Sequence, residues 1–388
     1  MLSRRINALS PSLTIAIATL AKELKASGKD IVSFSAGEPD FDTPKRIKEE
    51  AIKAINDGFT KYTAVAGIPE LLQAISGKLE RENGLKYEPN QIIVSNGAKQ
   101  SLFNLFQAVI DDGDEVIIPA PYWVTYPELV IYSGGTPVYI DTDERSGFKM
   151  TPEQLKNAIT PKTKMLVLTS PSNPTGSVYS KAELEEIAKV LKGTDILVAS
   201  DEMYEKLVYG TKFTSAAAIS DDMFARTITI NGLSKSVAMT GWRFGYLATP
   251  NSELIEAMDK LQSQSTSNIN SITQKAAIVA LNGEVDIDIE EMRQAFEARA
   301  KKAVELFNEI DGLSVLQPQG AFYLFVNIKD ISNNSMEFCK ELLSETGVAV
   351  IPGLGFGSEG YFRFSFATDM TTISDGIRRI AKFVKSKR

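Results

Sequence analysis

Short apolar runs recur along the middle of the chain, at residues 115–119, 137–140, 164–169, 196–200, 227–230 and 246–249, and helical spacings such as that of residues 180–192 stand between most of them. Runs of this length, bounded by turn residues, read as buried strands. Strands that alternate with helices point to a layered α/β domain whose mainly parallel sheet is flanked by helices. One further run, Ile92-Ile93-Val94, leads through Ser95-Asn96-Gly97-Ala98 into a helical pattern carried by Leu102, Phe103, Leu105, Phe106 and Val109. Upstream, residues 12–27 have a helical apolar spacing, Ile31 to Phe34 reads as a short strand, and a helix is expected over 44–58 with Pro44 near its start. Downstream, Ile289, Met292, Phe296, Ala300, Val304 and Phe307 mark a long helix from about 287 to 310, followed by a strand-and-helix region. No repeat, low-complexity tract or flexible linker interrupts the chain. A second domain must therefore be joined to the first by ordered elements, and the long helix is the candidate.

The 388 residues exceed one small core, and the formal charge of −7 argues against a nucleic-acid surface. No apolar run approaches a membrane span. Met1-Leu2-Ser3-Arg4-Arg5 opens no export signal. The single cysteine, Cys339, falls in an amphipathic helical pattern, so a buried core thiol and a cytoplasmic location are expected. Histidine is absent altogether. That removes Ser-His-Asp and Cys-His devices and any His-liganded metal, and no metal site is expected. Acid–base work near neutral pH is left to a perturbed lysine, tyrosine or carboxylate, or to a cofactor.

The proposed strand ends share a chemical theme. The run Ile228–Ile230 gives out into Asn231-Gly232-Leu233-Ser234-Lys235, and Arg243 follows between Gly241 and Gly245. A lysine on such a turn sits where α/β sheets place ligand contacts. If desolvated, its amine can attack a carbonyl carbon, and the serine hydroxyl and guanidinium can hold a phosphate. From these residues alone, a surface lysine in a polar turn is an equal account. Ser95-Asn96-Gly97-Ala98 opens a helix and so offers an anion seat, or a simple Asx turn. Asn173 lies between Pro171 and Pro174, in a rigid turn. Asp201 closes an apolar run, with Tyr204 just after it; a carboxylate there is a helix cap or the partner of a buried cation. Trp123 follows Pro121-Tyr122 and either stacks on a planar ligand or fills core. Together these supply what a protein needs around pyridoxal phosphate, whose ring is the electron sink.

The order of these pieces resembles the class I aminotransferases of fold type I, within them the bacterial aspartate aminotransferases. The resemblance covers nearly the whole chain. It is carried by Ala36-Gly37-Glu38-Pro39-Asp40-Phe41, Lys61-Tyr62-Thr63, Asn96-Gly97-Ala98-Lys99-Gln100, Pro121-Tyr122-Trp123 and Asn173-Pro174-Thr175-Gly176, and then by Ser200 to Tyr204, Ser234-Lys235, Gly241-Trp242-Arg243 and Arg363 to Thr368. It implies a pyridoxal-phosphate-dependent transferase fold: a large α/β domain over 46–290 and a smaller α+β domain formed by 1–45 with 291–388.

The resemblance also implies roles. Lys235 is the catalytic lysine that holds the cofactor covalently and shuttles a proton. Ser234, Arg243 and the Gly97-Ala98 backbone seat the phosphate, and Asp201 partners the ring nitrogen. Asn173 and Tyr204 donate to the ring oxygen, and Trp123 stacks on the ring and lines the substrate site. Arg363, with Gly37 and Asn173, takes the substrate's α-carboxylate. Tyr62 reaches the phosphate of the other subunit, so the expected partner is a second copy in a homodimer with composite sites. Lys99 takes the second carboxylate of a dicarboxylic donor, and Ser12 and Thr14 add hydroxyl contacts. The implied reaction is ping-pong transamination of L-aspartate with 2-oxoglutarate. Transamination of prephenate, aromatic or other amino acids, and a lyase on the same fold, remain alternatives.

Overall fold

The structure, a computed structural model, describes residues 2–11 and 13–387. Ser12 and the Thr14 side chain, expected to touch the substrate, lie outside the described residues. After a two-residue strand β1 (Val32–Ser33), the chain builds β2 (Ile92–Asn96), β3 (Glu115–Ala120), β4 (Thr136–Asp141), β5 (Thr163–Thr169), β6 (Leu197–Asp201), β7 (Thr227–Gly232) and β8 (Phe244–Ala248). The last seven form one sheet in the order β2-β8-β7-β6-β5-β3-β4. β8 runs antiparallel to β2 and β7, and the other pairings are parallel. Helices cover both faces, so the central strands read as continuous apolar runs rather than alternating ones. Met165, Leu166, Val167 and Leu168 of β5 are all buried, Met165 and Val167 in one core cluster and Leu166 and Leu168 in another.

A second sheet follows: β9 (Tyr323–Asn327), β11 (Ile351–Pro352) and β12 (Tyr361–Ser365), antiparallel in the order β11-β12-β9. β10 (Val348–Ala349) pairs in parallel with β1, across almost the whole sequence. The helix Asp286–Asn308 buries Ile289, Met292, Phe296, Ala300, Ala303 and Phe307, one stripe at helical spacing. Ala303, not the expected Val304, completes that stripe; Val304 stands at its edge, half-buried.

At the lysine turn two boundaries differ from the sequence expectation by two residues each. β7 continues past Ile230 to Gly232, and β8 begins at Phe244 rather than Tyr246. The polar Asn231 does not stop the strand, because its amide donates to Glu205 Oε1 at 2.8 Å and its carbonyl oxygen accepts from the Gly232 N–H at 2.7 Å. The helix Ser271–Leu281 carried no periodic signal. It buries Ser271, Thr273 and Gln274 as well as its apolar residues, so it has no polar face to set against an apolar one.

Candidate active site

Five strands of the large sheet end at the same edge. Their C-terminal ends present Asn96-Gly97, the Tyr122-Trp123 segment, Asn173, Asp201 and Ser234-Lys235, as an open α/β sheet delivers its ligand contacts. They meet in a cavity of about 300 Å³. Gly37, Gly97, Ala98, Lys99, Trp123, Asn173, Asp201, Tyr204, Ser234, Lys235, Arg243 and Arg363 all line it. Tyr62 does not, and is 88% exposed on its own chain.

The cavity has an imbalance of charge. Among the described residues, Lys99, Lys235, Arg243 and Arg363 line it with one carboxylate, Asp201. Lys235 Nζ donates to the Gly37 carbonyl at 2.5 Å. Burial, with Arg363 and Arg243 adding to it against Glu38 and Asp201, pulls this amine down to about 8. A neutral, nucleophilic lysine is therefore within reach near neutral pH.

Arg363 is 2% exposed. Nη1 donates to Asn173 Oδ1 and Nη2 to the Ser35 carbonyl, each at 2.9 Å. Its Nε is buried with no partner among the described residues. Its guanidinium lies over the rings of Tyr323, 4.4 Å from the centroid, and Phe356, at 5.1 Å. Phe356 comes from the Gly353–Phe356 turn, which follows β11 and carries no βαβ dinucleotide context. A buried cation with an unused donor and no carboxylate marks a place for an anionic ligand.

Asp201 is buried, and burial raises its carboxyl above the ordinary range. Tyr126 donates to its Oδ2 at 2.7 Å and the Met203 N–H to its Oδ1 at 3.2 Å. At the other end, Gly97 has φ +83° and turns its own N–H to the Ser95 carbonyl at 2.7 Å. The open donors of this seat are therefore those of the helix Ala98–Val109, whose first N–H groups have no partner within the helix. Arg243 sits beside it, at φ +58°, donating to the Thr240 and Asn96 carbonyls at 2.9 and 3.3 Å. A Cβ on Gly97 would come 2.6 Å from Arg243 Nη2, and one on Gly245 would come 2.1 Å from the Ala98 nitrogen. The cradle thus depends on two glycines. Gln262 braces it from behind, bonding Ser95 Oγ at 2.9 Å and the Val94 carbonyl at 2.9 Å.

Tyr126, Thr169, Met203, Thr240 and Tyr323 also line the cavity, and the sequence reasoning missed them. Tyr126 had a signal: it stands three residues after Trp123, close enough for the two rings to pack edge to face at 5.4 Å. Tyr323 had none, because it opens an apolar run, residues 323–326, that reads as core.

Residues 29–380 match the family Aminotransferase class I and II. The chain belongs to this family. It is 50% identical over 391 residues to the aspartate aminotransferase of Bacillus sp. (strain YM-2), covering 99% of each chain. It is equally, 50%, identical over 396 residues to the aspartate/prephenate aminotransferase of Nitrosomonas europaea, again covering 99% of each. The aspartate aminotransferase of Thermus thermophilus with maleate superposes with a TM-score of 0.95 at 43% identity, over 98% of this chain and 99% of that one. This aminotransferase thus has the α/β fold of the type I pyridoxal-phosphate enzymes, acts on amino and 2-oxo acids, and uses pyridoxal phosphate. The cavity fits that cofactor. It offers a depressed lysine for an aldehyde, a glycine-built anion cradle with an arginine for a phosphate, and a buried carboxylate lacking a cation for a ring nitrogen.

Proposed function

We propose that this aminotransferase transfers the amino group of L-aspartate to 2-oxoglutarate, giving oxaloacetate and L-glutamate by ping-pong kinetics. One observation carries the choice of a dicarboxylic donor: with Lys235 and Arg243 given to the cofactor, two further cations line the same cavity, Arg363 and, at the start of the helix Ala98–Val109, Lys99, neither paired with a carboxylate among the described residues. Lys99 Nζ stands 4.9 Å from the Trp123 ring centroid, and burial, then Arg243, pulls its ammonium down. A cation in a helix's first turn also opposes the dipole. An anion beside Lys99 would relieve both costs. The relative from N. europaea is named for prephenate as well as aspartate. Prephenate, also a dicarboxylate, is accordingly a second acceptor in this reading.

Lys235, Ser234, Arg243, the Gly97-Ala98 turn, Asp201, Asn173, Tyr204 and Trp123 would hold the cofactor, which when bound withdraws electrons from the substrate's Cα. The chain's own residues do the rest. Arg363 clamps the α-carboxylate with a planar fork and fixes the Cα–H bond in orientation. Lys235 Nζ takes the Cα proton and returns it, which its low pKa permits near neutrality. Asp201, held by Tyr126 and the Met203 N–H, presents its carboxyl group to the cavity in a fixed orientation. We also infer a homodimer in which Tyr62 of the partner subunit completes the phosphate seat. Its exposure, and that of Ile52 and Ile55 at 57% and 52%, supports a covered face there.

A donor–acceptor screen, followed by Lys99→Ala, tests the assignment. The expected loss in kcat/KM for aspartate is on the order of ten- to a hundredfold, the worth of one charge-assisted contact, with alanine or phenylalanine as donor nearly unaffected. Equal losses for both donor classes, or a wild-type preference for an aromatic or aliphatic donor, would refute it. For the dimer, Tyr62→Phe subunits mixed with Arg363→Ala subunits should form hybrids with one near-normal site; an active monomer in sedimentation would exclude the composite site.

A further inference from the structure

We propose that Tyr323 is a two-sided positioning residue of the transamination site: its hydroxyl fixes the direction in which the Tyr204 hydroxyl points, and its ring face seats the Arg363 guanidinium. The inference rests on the reading given above, in which Tyr204 donates to the cofactor and Arg363 holds the α-carboxylate.

The fold places Tyr323 for both tasks. It begins β9, paired opposite Ser365 of β12, two residues from Arg363 on the same face of that strand. A ring at this position reaches its diagonal neighbour, and the Arg363 Cζ indeed lies 4.4 Å from the Tyr323 centroid. Tyr323 is 1% exposed, so this contact is dry apart from the cavity that Tyr323 helps to line. Arg363 has no carboxylate partner to offset the burial of its charge. Besides the two carbonyl oxygens in its plane, the negative ring faces of Tyr323 and Phe356 are what its charge meets. The ring therefore both stabilises the charge and sets the plane of the fork.

The second task follows from counting protons. The Tyr204 and Tyr323 oxygens are 3.0 Å apart. A phenol has one proton to donate and lone pairs with which to accept. If Tyr204 spends its proton on a ligand in the cavity, the bond between the two tyrosines must be one that Tyr204 accepts. Tyr323 is the group that donates it. A hydroxyl that accepts a hydrogen bond becomes a stronger donor, so Tyr323 polarises Tyr204 as well as orienting it. Tyr323 also limits its surroundings: a Cβ on Gly37 would come 3.1 Å from its oxygen, and the Gly37 carbonyl is the acceptor that holds Lys235.

Two variants separate the two tasks, and two readouts other than turnover follow them: the pH at which the bound cofactor's near-visible absorbance titrates, and the Kd of maleate taken from the change in that absorbance. A weaker donor at Tyr204 stabilises an anionic ring oxygen less, so the midpoint moves up. Tyr323→Phe keeps the ring and loses the hydroxyl. It should raise the midpoint in the same direction as Tyr204→Phe but by less, roughly a few tenths of a pH unit, and leave maleate affinity within about twofold. Tyr323→Leu loses both, and should raise the midpoint and weaken maleate about tenfold. The charged groups that also act on the Tyr204 hydroxyl, Arg363 and Asp201, are unchanged in each variant. A merely structural role would lower the melting temperature and leave the midpoint in place. If Tyr204→Phe moves the midpoint and Tyr323→Phe does not, or if Tyr323→Leu binds maleate like the wild type, the inference is overturned while the reading of the site stands. If Tyr204→Phe itself moves nothing, the role of Tyr204 fails and this inference fails with it.

Discussion

Two lysines are buried in this molecule on opposite terms. Lys78 lies against Glu205, with Glu82 at 3.4 Å and Asn83 Oδ1 at 2.8 Å. Burial pulls its ammonium down, but Glu205, Tyr246 and Glu82 outweigh burial, and the net shift is upward. Lys235 is desolvated in the same way, yet its nearest acceptor is a carbonyl and two arginines add to its depression, so it falls to about 8. Depth alone does not make a lysine reactive. What decides it is whether the chain also buries a carboxylate for it, and here the chain withholds one at the lysine that lines the cavity.

The largest effect that can break this contrast is an exchange of the two deletions. Lys235→Ala should abolish the near-visible absorbance of the lysine imine and cut turnover by roughly ten-thousandfold or more. Lys78→Ala should leave kcat within a few fold and destabilise the fold by about 3–5 kcal/mol, because Glu205 stays behind as a lone buried charge. Urea melts of Lys78→Met with Glu205→Leu should recover most of that loss. A Lys78→Ala enzyme that melts normally but has lost turnover would place Lys78 in the chemistry and end the contrast.

Arg363 extends the comparison to a guanidinium. Arg363→Lys keeps the charge and loses the fork, and should lower kcat/KM by about a hundredfold for dicarboxylic and monocarboxylic donors alike. Selective damage to one donor class would move Arg363 from the α-carboxylate to the distal one.

A pH experiment sharpens the same point. Raising pH through about 8 takes the proton off Lys235 Nζ, so the amine becomes nucleophilic on the alkaline side of that value. In apo-protein, the rate of modification by a small aldehyde at Lys235, read by mass spectrometry, should be half-maximal near there. A midpoint above 10 would mean that the pocket does not depress it.

The smallest effect concerns Glu202, the neighbour of Asp201. Burial lifts its carboxyl to about 7, and its Oε2 has no partner, while Oε1 accepts from Ser200 and Ser215 at 2.9 and 2.7 Å. Between its ordinary pKa and 7, the folded chain keeps a proton that the unfolded chain has shed. Stability from this group is therefore present at low pH and lost as pH rises to 7. Glu202→Gln should raise stability above pH 7 by about 1 kcal/mol and do little at pH 4.5, as judged by thermal melts across that range. An equal shift at both pH values would show that packing, not ionisation, is at work.

Much of this was legible from residues alone, for physical reasons. The parallel strands are buried on both faces and so announce themselves as apolar runs. Most of the cavity-lining groups read from the sequence stand at their ends, on turns that need Gly, Pro, Ser or Asn. What stayed hidden were the groups that act through others. Tyr323 and Tyr126 look like core aromatics until the fold brings their hydroxyls to Tyr204 and Asp201. Gln262 reads as one polar residue at the end of a helix, yet it is fully buried and ties the β2 backbone to its surroundings. No local pattern encodes such meetings, because each joins residues 75 or more positions apart.

The pairing of Val32 with Val348 has a consequence for synthesis. On the ribosome, β1 emerges among the first elements and has to wait for β10. Arg363, whose guanidinium is tied to the Ser35 carbonyl just beyond β1, emerges later still. A nascent chain can complete the sheet that carries Asp201 and Lys235 while its opening segment is still unanchored. The sheet end that bears Lys235 can therefore form before either the Gly37 carbonyl that holds its amine or the arginine that would orient a substrate is anchored, and the cavity is completed only once the late strands have been made.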